Sequence, residues 1–190
     1  MHPPNFHQIF TVLWSAFGLY WLLAAFRIKR AKATEGPSRI LHLGLLGAAL
    51  WLLFSSRDDN FGPLSQYFLP QTQAVALVGL ALTCAGLALA VWARVHLGRN
   101  WSSQVTLKVD HELIRTGPYA HLRHPIYSGV LLAMLGTAIA QGEWRELLAF
   151  CLGLLSFWIK ASREEAWLTR EFGTSFEAHR RHAGFFLPRW

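Results

Sequence analysis

Long uncharged stretches alternate along this chain with short, charge-dense ones. Residues 6–26 contain no Lys, Arg, Asp or Glu, and at 1.5 Å per residue a helix of that length crosses a hydrocarbon layer of about 30 Å. Similar runs occupy residues 40–56, somewhat short, then 74–93, the clearest, and 125–142. A fifth run, 147–159, is too short to span alone. Only a few residues around 141–146 separate it from the fourth, so the two predict a tight helical hairpin packed within a bundle. From 162 to 184 the pattern changes. Leu168, Phe172 and Phe176 recur every four residues among Glu and Arg, which predicts an amphipathic helix along the inner membrane surface, with a break signalled at Gly173. The predicted fold class is all-α: an integral membrane helical bundle with about five transmembrane segments, the last two a short helical hairpin, plus a C-terminal amphipathic helix. Residues 1–93 would hold three N-terminal spans, and residues 94–190 the hairpin spans 125–160 and the tail 162–184.

Composition supports this pattern. The 190 residues suit one domain, 53% of them are hydrophobic and only 15% charged, and there are nine tryptophans. The net charge of +7 is gathered into blocks. Arg27, Lys29, Arg30, Lys32 and Arg39 crowd the first loop; Arg94, Arg99, Lys108, Arg115 and Arg123 follow the third run; Lys160, Arg163, Arg170, Arg180, Arg181 and Arg189 fill the tail. The second loop and the turn holding Glu143, Arg145 and Glu146 carry no positive excess. The positive-inside rule then places the N-terminus outside and the C-terminus inside after five crossings, with all basic blocks on one side. Basic and aromatic residues share no polar face, which excludes a nucleic-acid binder. The first run lacks the basic start and small-residue cleavage site of a signal peptide and predicts a retained helix.

Several residues receive plain readings. Cys84 and Cys151 lie in apolar runs and read as small buried hydrophobes. Small residues four apart (Gly44 and Ala48, Ala81 and Ala85, Gly86 and Ala90, Gly129 and Ala133) suit close helix packing. Trp14, Trp21, Trp51, Trp92 and Trp144 read mostly as interface anchors. His42 and His96 read as interface residues, and His179 and His182 as solvated. His121 and His124 are three apart, but the two further ligands zinc would need are missing, so no metal is expected.

The segment from Leu97 to Gly129 is different. A loop of about thirty residues is usually functional, and this one lies on the basic side. Gly117-Pro118 calls for a turn. Pro125 suits the first turn of a helix, where a missing N–H costs nothing, and it pushes His124 out of helical geometry. His124, Tyr127 and Tyr119 can then gather at a helix N-terminus, which attracts anionic groups. A second cluster, Lys160, Arg163, Glu164 and Glu165, closes the fifth run. Lys160 and Glu164 share a helix face, as a simple i,i+4 pair or as a functional group at a span's end.

Gln104, His111 through Ile114, Gly117-Pro-Tyr119, Arg123-His-Pro-Ile-Tyr127, Lys160 and Glu164-Glu165 together resemble the isoprenylcysteine carboxyl methyltransferase family and the related phospholipid methyltransferases, over about residues 98–188. The resemblance implies an enzyme that uses S-adenosyl-L-methionine, releases S-adenosyl-L-homocysteine and methylates a lipophilic small-molecule or lipidated acceptor at the cytoplasmic face of a bilayer. Its cofactor contacts fall on Gln104, His111, Glu112, Leu113, Ile114, Tyr119, His124, Pro125, Ile126, Tyr127 and Glu164. The family's acceptor-side arginine falls on Lys160, which keeps the charge but not the bidentate fork; Arg163 is the neighbouring substitute. The helix N-terminus at Pro125 and His124 would take the cofactor's carboxylate, Glu164 its adenosyl or ribose portion, while the tyrosines pack and hydrogen-bond. No metal is needed for in-line methyl transfer, which rests on alignment and water exclusion. A carboxylate, thiol or amine acceptor all remain open. The alternatives are an NADPH-dependent membrane reductase related to sterol reductases, and a non-catalytic membrane binding protein; the latter leaves the clustered polar residues without a purpose.

Overall fold

The computed structural model describes residues 6–25, 38–55, 59, 61–98 and 113–189. The first basic block, residues 27–39, lies almost wholly outside the described residues, as do residues 99–112. The described residues form six α-helices: α1 (Phe6–Ala25), α2 (Ser38–Phe54), α3 (Gln73–Leu97), α4 (Pro125–Gln141), α5 (Trp144–Phe172) and α6 (Thr174–His182). Short 3-10 turns occupy Gly62–Ser65 and Gly117–Ala120. Among the described residues there is no β-strand, only isolated bridges. Phe6–Ala24 and Gln73–Leu97 are long and apolar enough to cross a membrane; Ile40–Phe54 and Pro125–Gln141 are shorter apolar helices.

The seam between α3 and α4 is built from glycine. A Cβ on Gly86 would lie 2.5 Å from Ala133 N and Gly129 O, and one on Gly136 would lie 2.5 Å from Thr83 N. Gly79 meets Gly136 in the same way. One index falls by seven as the other rises by seven, so the helices run antiparallel with their backbones in contact, as small residues permit where lipid supplies no hydrophobic drive. Of the expected four-residue pairs, Gly86–Ala90 and Gly129–Ala133 lie in this seam. Gly44, Ala48, Ala81 and Ala85 are exposed instead; the operative spacing is seven. Thr83 and Thr137 sit in the seam, both fully buried, and each hydroxyl donates to a carbonyl four residues earlier in its helix.

Other residues turn inward that the sequence placed at the interface. Trp14 is buried and donates from Nε1 to Thr137 Oγ1 (3.0 Å), and Trp21 packs beside Tyr119 and Ile126. Trp51, Trp92 and Trp144 are exposed. His42 is buried against Ser156 of α5 rather than facing outward. Cys84 and Cys151, expected to be buried, are free and exposed on the apolar helix surface.

The connection from α4 to α5 is two residues long. Gly142 closes α4 in the left-handed region (φ 75°), which glycine adopts without strain, and Glu143 opens α5 with a capping box to Glu146. Phe68 N donates to the Gly142 carbonyl and Trp144 N to that of Gln66, so the α2–α3 loop clasps the turn. The fifth helix corrects the expected boundaries. It is not a short run followed by a separate tail helix from 162; α5 continues unbroken for 29 residues to Phe172. The signalled break does fall at Gly173 (φ 47°), after which α6 starts in a new direction. The charged half of α5 is therefore a rigid extension of its apolar half.

Candidate active site

Pro125 begins α4, and the chain enters it through His124 in a non-helical conformation (φ −125°, ψ 58°), as expected for the residue before proline. The His124 ring therefore points sideways from the helix start, towards the charged half of α5. Its Nε2 lies 3.2 Å from Glu165 Oε1 and its Nδ1 3.6 Å from Glu164 Oε2. One turn along, Tyr127 donates from its hydroxyl to Glu164 Oε1 (2.5 Å) and its ring stacks on His124 (5.5 Å between centroids, 11°). The other tyrosine neighbour is Phe157, stacked at 4.9 Å, and Lys160 Nζ lies 5.5 Å from the Tyr127 centroid.

Phe157, Lys160 and Glu164 recur at i, i+3 and i+7, which puts them on one face of α5. Tyr127 lies along that face and touches all three. Glu164 keeps 23% of its side chain exposed and Glu165 11%. The pair of carboxylates thus divides: Glu165 turns inward to structural partners, and Glu164 stays part-exposed with acceptor capacity to spare.

Glu165 is the hub of the inward side. Arg123 Nε donates to it at 2.5 Å and Arg180 Nε of α6 lies 3.7 Å away. Burial alone would raise the Glu165 carboxyl, but hydrogen bonds from His124 and Arg123 and the charge of Arg123 outweigh it, and the net displacement is downward. Arg123 also donates from Nη1 to the Ala183 carbonyl (2.5 Å). The chain after α6 folds back along this motif: Arg123 N donates to the Gly184 carbonyl, Gly184 N to that of His121, and Ser128 Oγ to that of Phe186 (2.8 Å). Phe185 then meets the His124 ring edge-on at 5.0 Å and Trp158 at 5.0 Å. The C-terminal residues are a wall of the site rather than a surface appendage.

Tyr119 forms another side. Gly117 (φ 58°) lets the chain pass so close to His96 that a Cβ would lie 2.7 Å from the ring. His96 Nε2 is 2.9 Å from Thr116 Oγ1, and its ring stacks on Tyr119. Burial, then the nearby Glu164 charge, pushes the Tyr119 phenol up, so it is held as a hydroxyl that can donate.

Of the residues chosen from sequence, Tyr119, His124, Pro125, Ile126, Tyr127 and Glu164 come together here. Ile126 is buried with Tyr119 and Ala93, and Ile114 packs against them; Leu113 is half-buried beside it in sequence. Lys160 lies on the Tyr127 ring and Arg163 is exposed. Gln104, His111 and Glu112 lie outside the described residues. Sequence reasoning missed Arg123, Arg180, Ser128, Phe185 and Phe186. Arg123 and Glu165 had a signal, since both belong to the quoted motifs; the tail residues had none, because their contacts with Arg123, His124 and Ser128 span 57–62 positions of the chain. His179, expected to be solvated, is buried beside Phe176. Burial, then Arg115 and Arg123, holds its pKa down and keeps it neutral.

A model of the phospholipid methyltransferase family matches residues 74–175, more than half of the chain and both halves of this site. The chain is 36% identical over 112 residues to the protein-S-isoprenylcysteine O-methyltransferase of Schizosaccharomyces pombe, covering 57% of this chain and 48% of that protein. It is 32% identical over 117 residues to a probable protein-S-isoprenylcysteine O-methyltransferase of Oryza sativa subsp. indica, covering 60% of this chain and 61% of that one. The chain thus spans about half to three-fifths of the length of these curated relatives. Among solved structures it shares the fold of the eukaryotic intramembrane Ras methyltransferase, isoprenylcysteine carboxyl methyltransferase, with a TM-score of 0.53 and 22% identity over 83% of this chain and 54% of that one.

Proposed function

The chain belongs to the phospholipid methyltransferase family, and from that membership we propose that it is an integral membrane, S-adenosylmethionine-dependent methyltransferase acting on a lipophilic acceptor, in the manner of protein-S-isoprenylcysteine O-methyltransferases. The observation that carries this reading is the meeting of Arg123-His-Pro-Ile-Tyr127 with Glu164-Glu165 at one end of α4 and α5.

The donor set suits such a cofactor. When bound, the cofactor supplies an electrophilic methyl carbon on a cationic sulfur, and the acceptor takes that carbon while the sulfur keeps the electron pair. A part-exposed carboxylate with aromatic faces beside it favours a cationic ligand. Glu164 is that carboxylate, and Tyr127 and Tyr119 are the aromatic neighbours. Glu164 binds the cofactor, with Tyr127 fixing the carboxylate's orientation. His124 and the N-terminus of α4 face its carboxylate end. The family resemblance adds Gln104, His111, Glu112, Leu113 and Ile114 to the cofactor-binding residues. Lys160 and Arg163 stand on the acceptor side, and the Phe185–Phe186 wall excludes water.

The chain crosses the bilayer about five times, with α4 and α5 as a helical hairpin, the N-terminus outside and the site at the cytoplasmic face. The exposed apolar faces of α1, α3 and α5, with Leu22, Trp92 and Leu155 among them, suit contact with lipid. The lipidated acceptor named for the relatives would arrive from the bilayer, while the cofactor arrives from water.

Titration calorimetry of S-adenosylhomocysteine into detergent-purified protein, with NADPH in parallel, tests this. Binding of the first that is strongly weakened in Glu164→Ala and weakened in His124→Ala is expected. Binding of NADPH alone would move the chain to reductase chemistry.

A further inference from the structure

Buried in the apolar half of α5, one turn before its charged half begins, lies a polar pair that the proposed reaction does not use. His42 of α2 is 8% exposed and Ser156 of α5 is fully buried. Ser156 Oγ donates to the His42 carbonyl (3.0 Å) and lies 2.6 Å from His42 Nδ1, which is itself 3.2 Å from the Ser156 carbonyl. A ring carrying its proton on Nδ1 satisfies all of these. On either side of His42, Leu41 and Leu43 are exposed on the apolar surface. An ionisable side chain inside an apolar helix pair is costly and carries a functional expectation.

The pair adjoins the site through rings. His42 packs on Phe157 at 6.1 Å, Phe157 stacks on Tyr127 at 4.9 Å, and Tyr127 stacks on His124 at 5.5 Å while donating to Glu164. Phe157 follows Ser156 directly, and Glu164 lies seven residues beyond Phe157 on the same helical face. Fixing Ser156 against α2 therefore fixes both the rotation and the axial level at which α5 offers Phe157 and Glu164 to Tyr127. α2 lies outside the region matched by the family model, residues 74–175.

We propose that His42 is a positioning residue for the active site: by holding Ser156 it sets the placement of α5, and so the orientation of Tyr127 and Glu164. This rests on the reading that Glu164 binds the methyl donor. It makes an N-terminal helix, beyond the matched family region, a determinant of cofactor affinity.

The test is S-adenosylhomocysteine calorimetry on the full chain in detergent, with thermal unfolding of each variant alongside. His42→Phe keeps a ring against Phe157 and removes the bonds to Ser156. Its affinity is expected to fall about tenfold, the weight of one buried hydrogen bond, while His42→Asn, whose amide can meet Ser156 Oγ, recovers to within about threefold. In a Tyr127→Phe background His42→Phe should cost much less, because the hydroxyl it positions is gone. Unchanged affinity in His42→Phe, with only a lower unfolding temperature, overturns the proposal and leaves a packing role. If that variant does not fold, Ser156→Ala removes the same bonds and is read in the same way. A wild-type protein that binds no S-adenosylhomocysteine sinks the methyltransferase reading and this inference together; binding by the wild type with no change in the variants sinks the inference alone.

Discussion

Two clusters of arginine and glutamate stand at opposite ends of the α4–α5 hairpin, and they are made of the same residue types. At the turn, Arg145 reaches Glu143 (2.7 Å) and Glu146 (3.2 Å) and donates to the carbonyl and hydroxyl oxygens of Ser55 at the end of α2. Phe61 covers the guanidinium. Arg145 is 1% exposed and Glu146 fully buried. At the other end Arg123, Arg180, Glu164 and Glu165 are joined through His124, and Glu164 and Arg180 stay 23% and 44% exposed. The closed cluster has no room for a ligand and ties α2 and the α2–α3 loop to the turn. The open one has aromatic walls, one carboxylate facing outward, and a C-terminal segment across it. Ion-pair chemistry does not distinguish the two clusters; enclosure does.

The contrast can be broken most sharply at the closed end. Replacing Arg145 by Met leaves Glu143 and Glu146 buried without their cation, a loss expected to cost about 3–5 kcal/mol. Thermal unfolding in detergent should show a large drop, and the surviving folded fraction should bind S-adenosylhomocysteine with near wild-type affinity. Weakened binding there would mean that the two ends communicate. Next in size is Glu164→Ala, expected to lower S-adenosylhomocysteine affinity by about 10- to 150-fold, the range for hydrogen bonds to a charged group, with little change in unfolding temperature. Equal losses of affinity and stability would make the open cluster structural as well.

Glu165→Gln has an intermediate effect, with a pH signature. The folded protein holds the Glu165 carboxyl below its ordinary value, so its contribution to stability is fully present above the unfolded-state pKa, about 4.3, and disappears as pH falls through the folded one. Unfolding temperatures from pH 7 down to 3 should show the wild type ahead at neutral pH and the two proteins converging in acid. A constant gap would remove the ionic role assigned to Glu165. The smallest effect belongs to Lys160→Met, which gives up the cation over the Tyr127 ring and keeps the chain length. Cofactor affinity should change by no more than about fivefold, in keeping with about 0.5–1 kcal/mol for such a contact. A selective rise in the acceptor KM would place Lys160 on the acceptor side.

Much of the site was legible in sequence because its signals are local. A proline that fixes a helix start, a histidine forced out of helical geometry before it, a tyrosine one turn later, and two adjacent glutamates after an apolar run identify the parts without any tertiary information. The all-helical fold was legible for the same reason: unbroken apolar runs, Gly142 after the fourth of them and Gly173 within the amphipathic stretch mark where helices begin and stop. The continuity of α5 was not legible, because hydropathy changes at Ile159 while helix propensity does not. Composition divides that segment; backbone hydrogen bonding does not.

The tertiary structure alone decided which polar residues face inward. Trp14, His42, Arg145 and His179 have sequence surroundings that fit an interface or a solvated surface, yet all are buried, the first three against partners more than forty residues away. The division of labour between Glu164 and Glu165 has the same origin. Adjacent in sequence and identical in chemistry, they lie about 100° apart around α5, so one meets Arg123 and the C-terminal segment while the other meets Tyr127 and stays part-exposed. Sequence determines which side chains a helix carries; only the packing of α4, α6 and the last residues around α5 determines what each one faces.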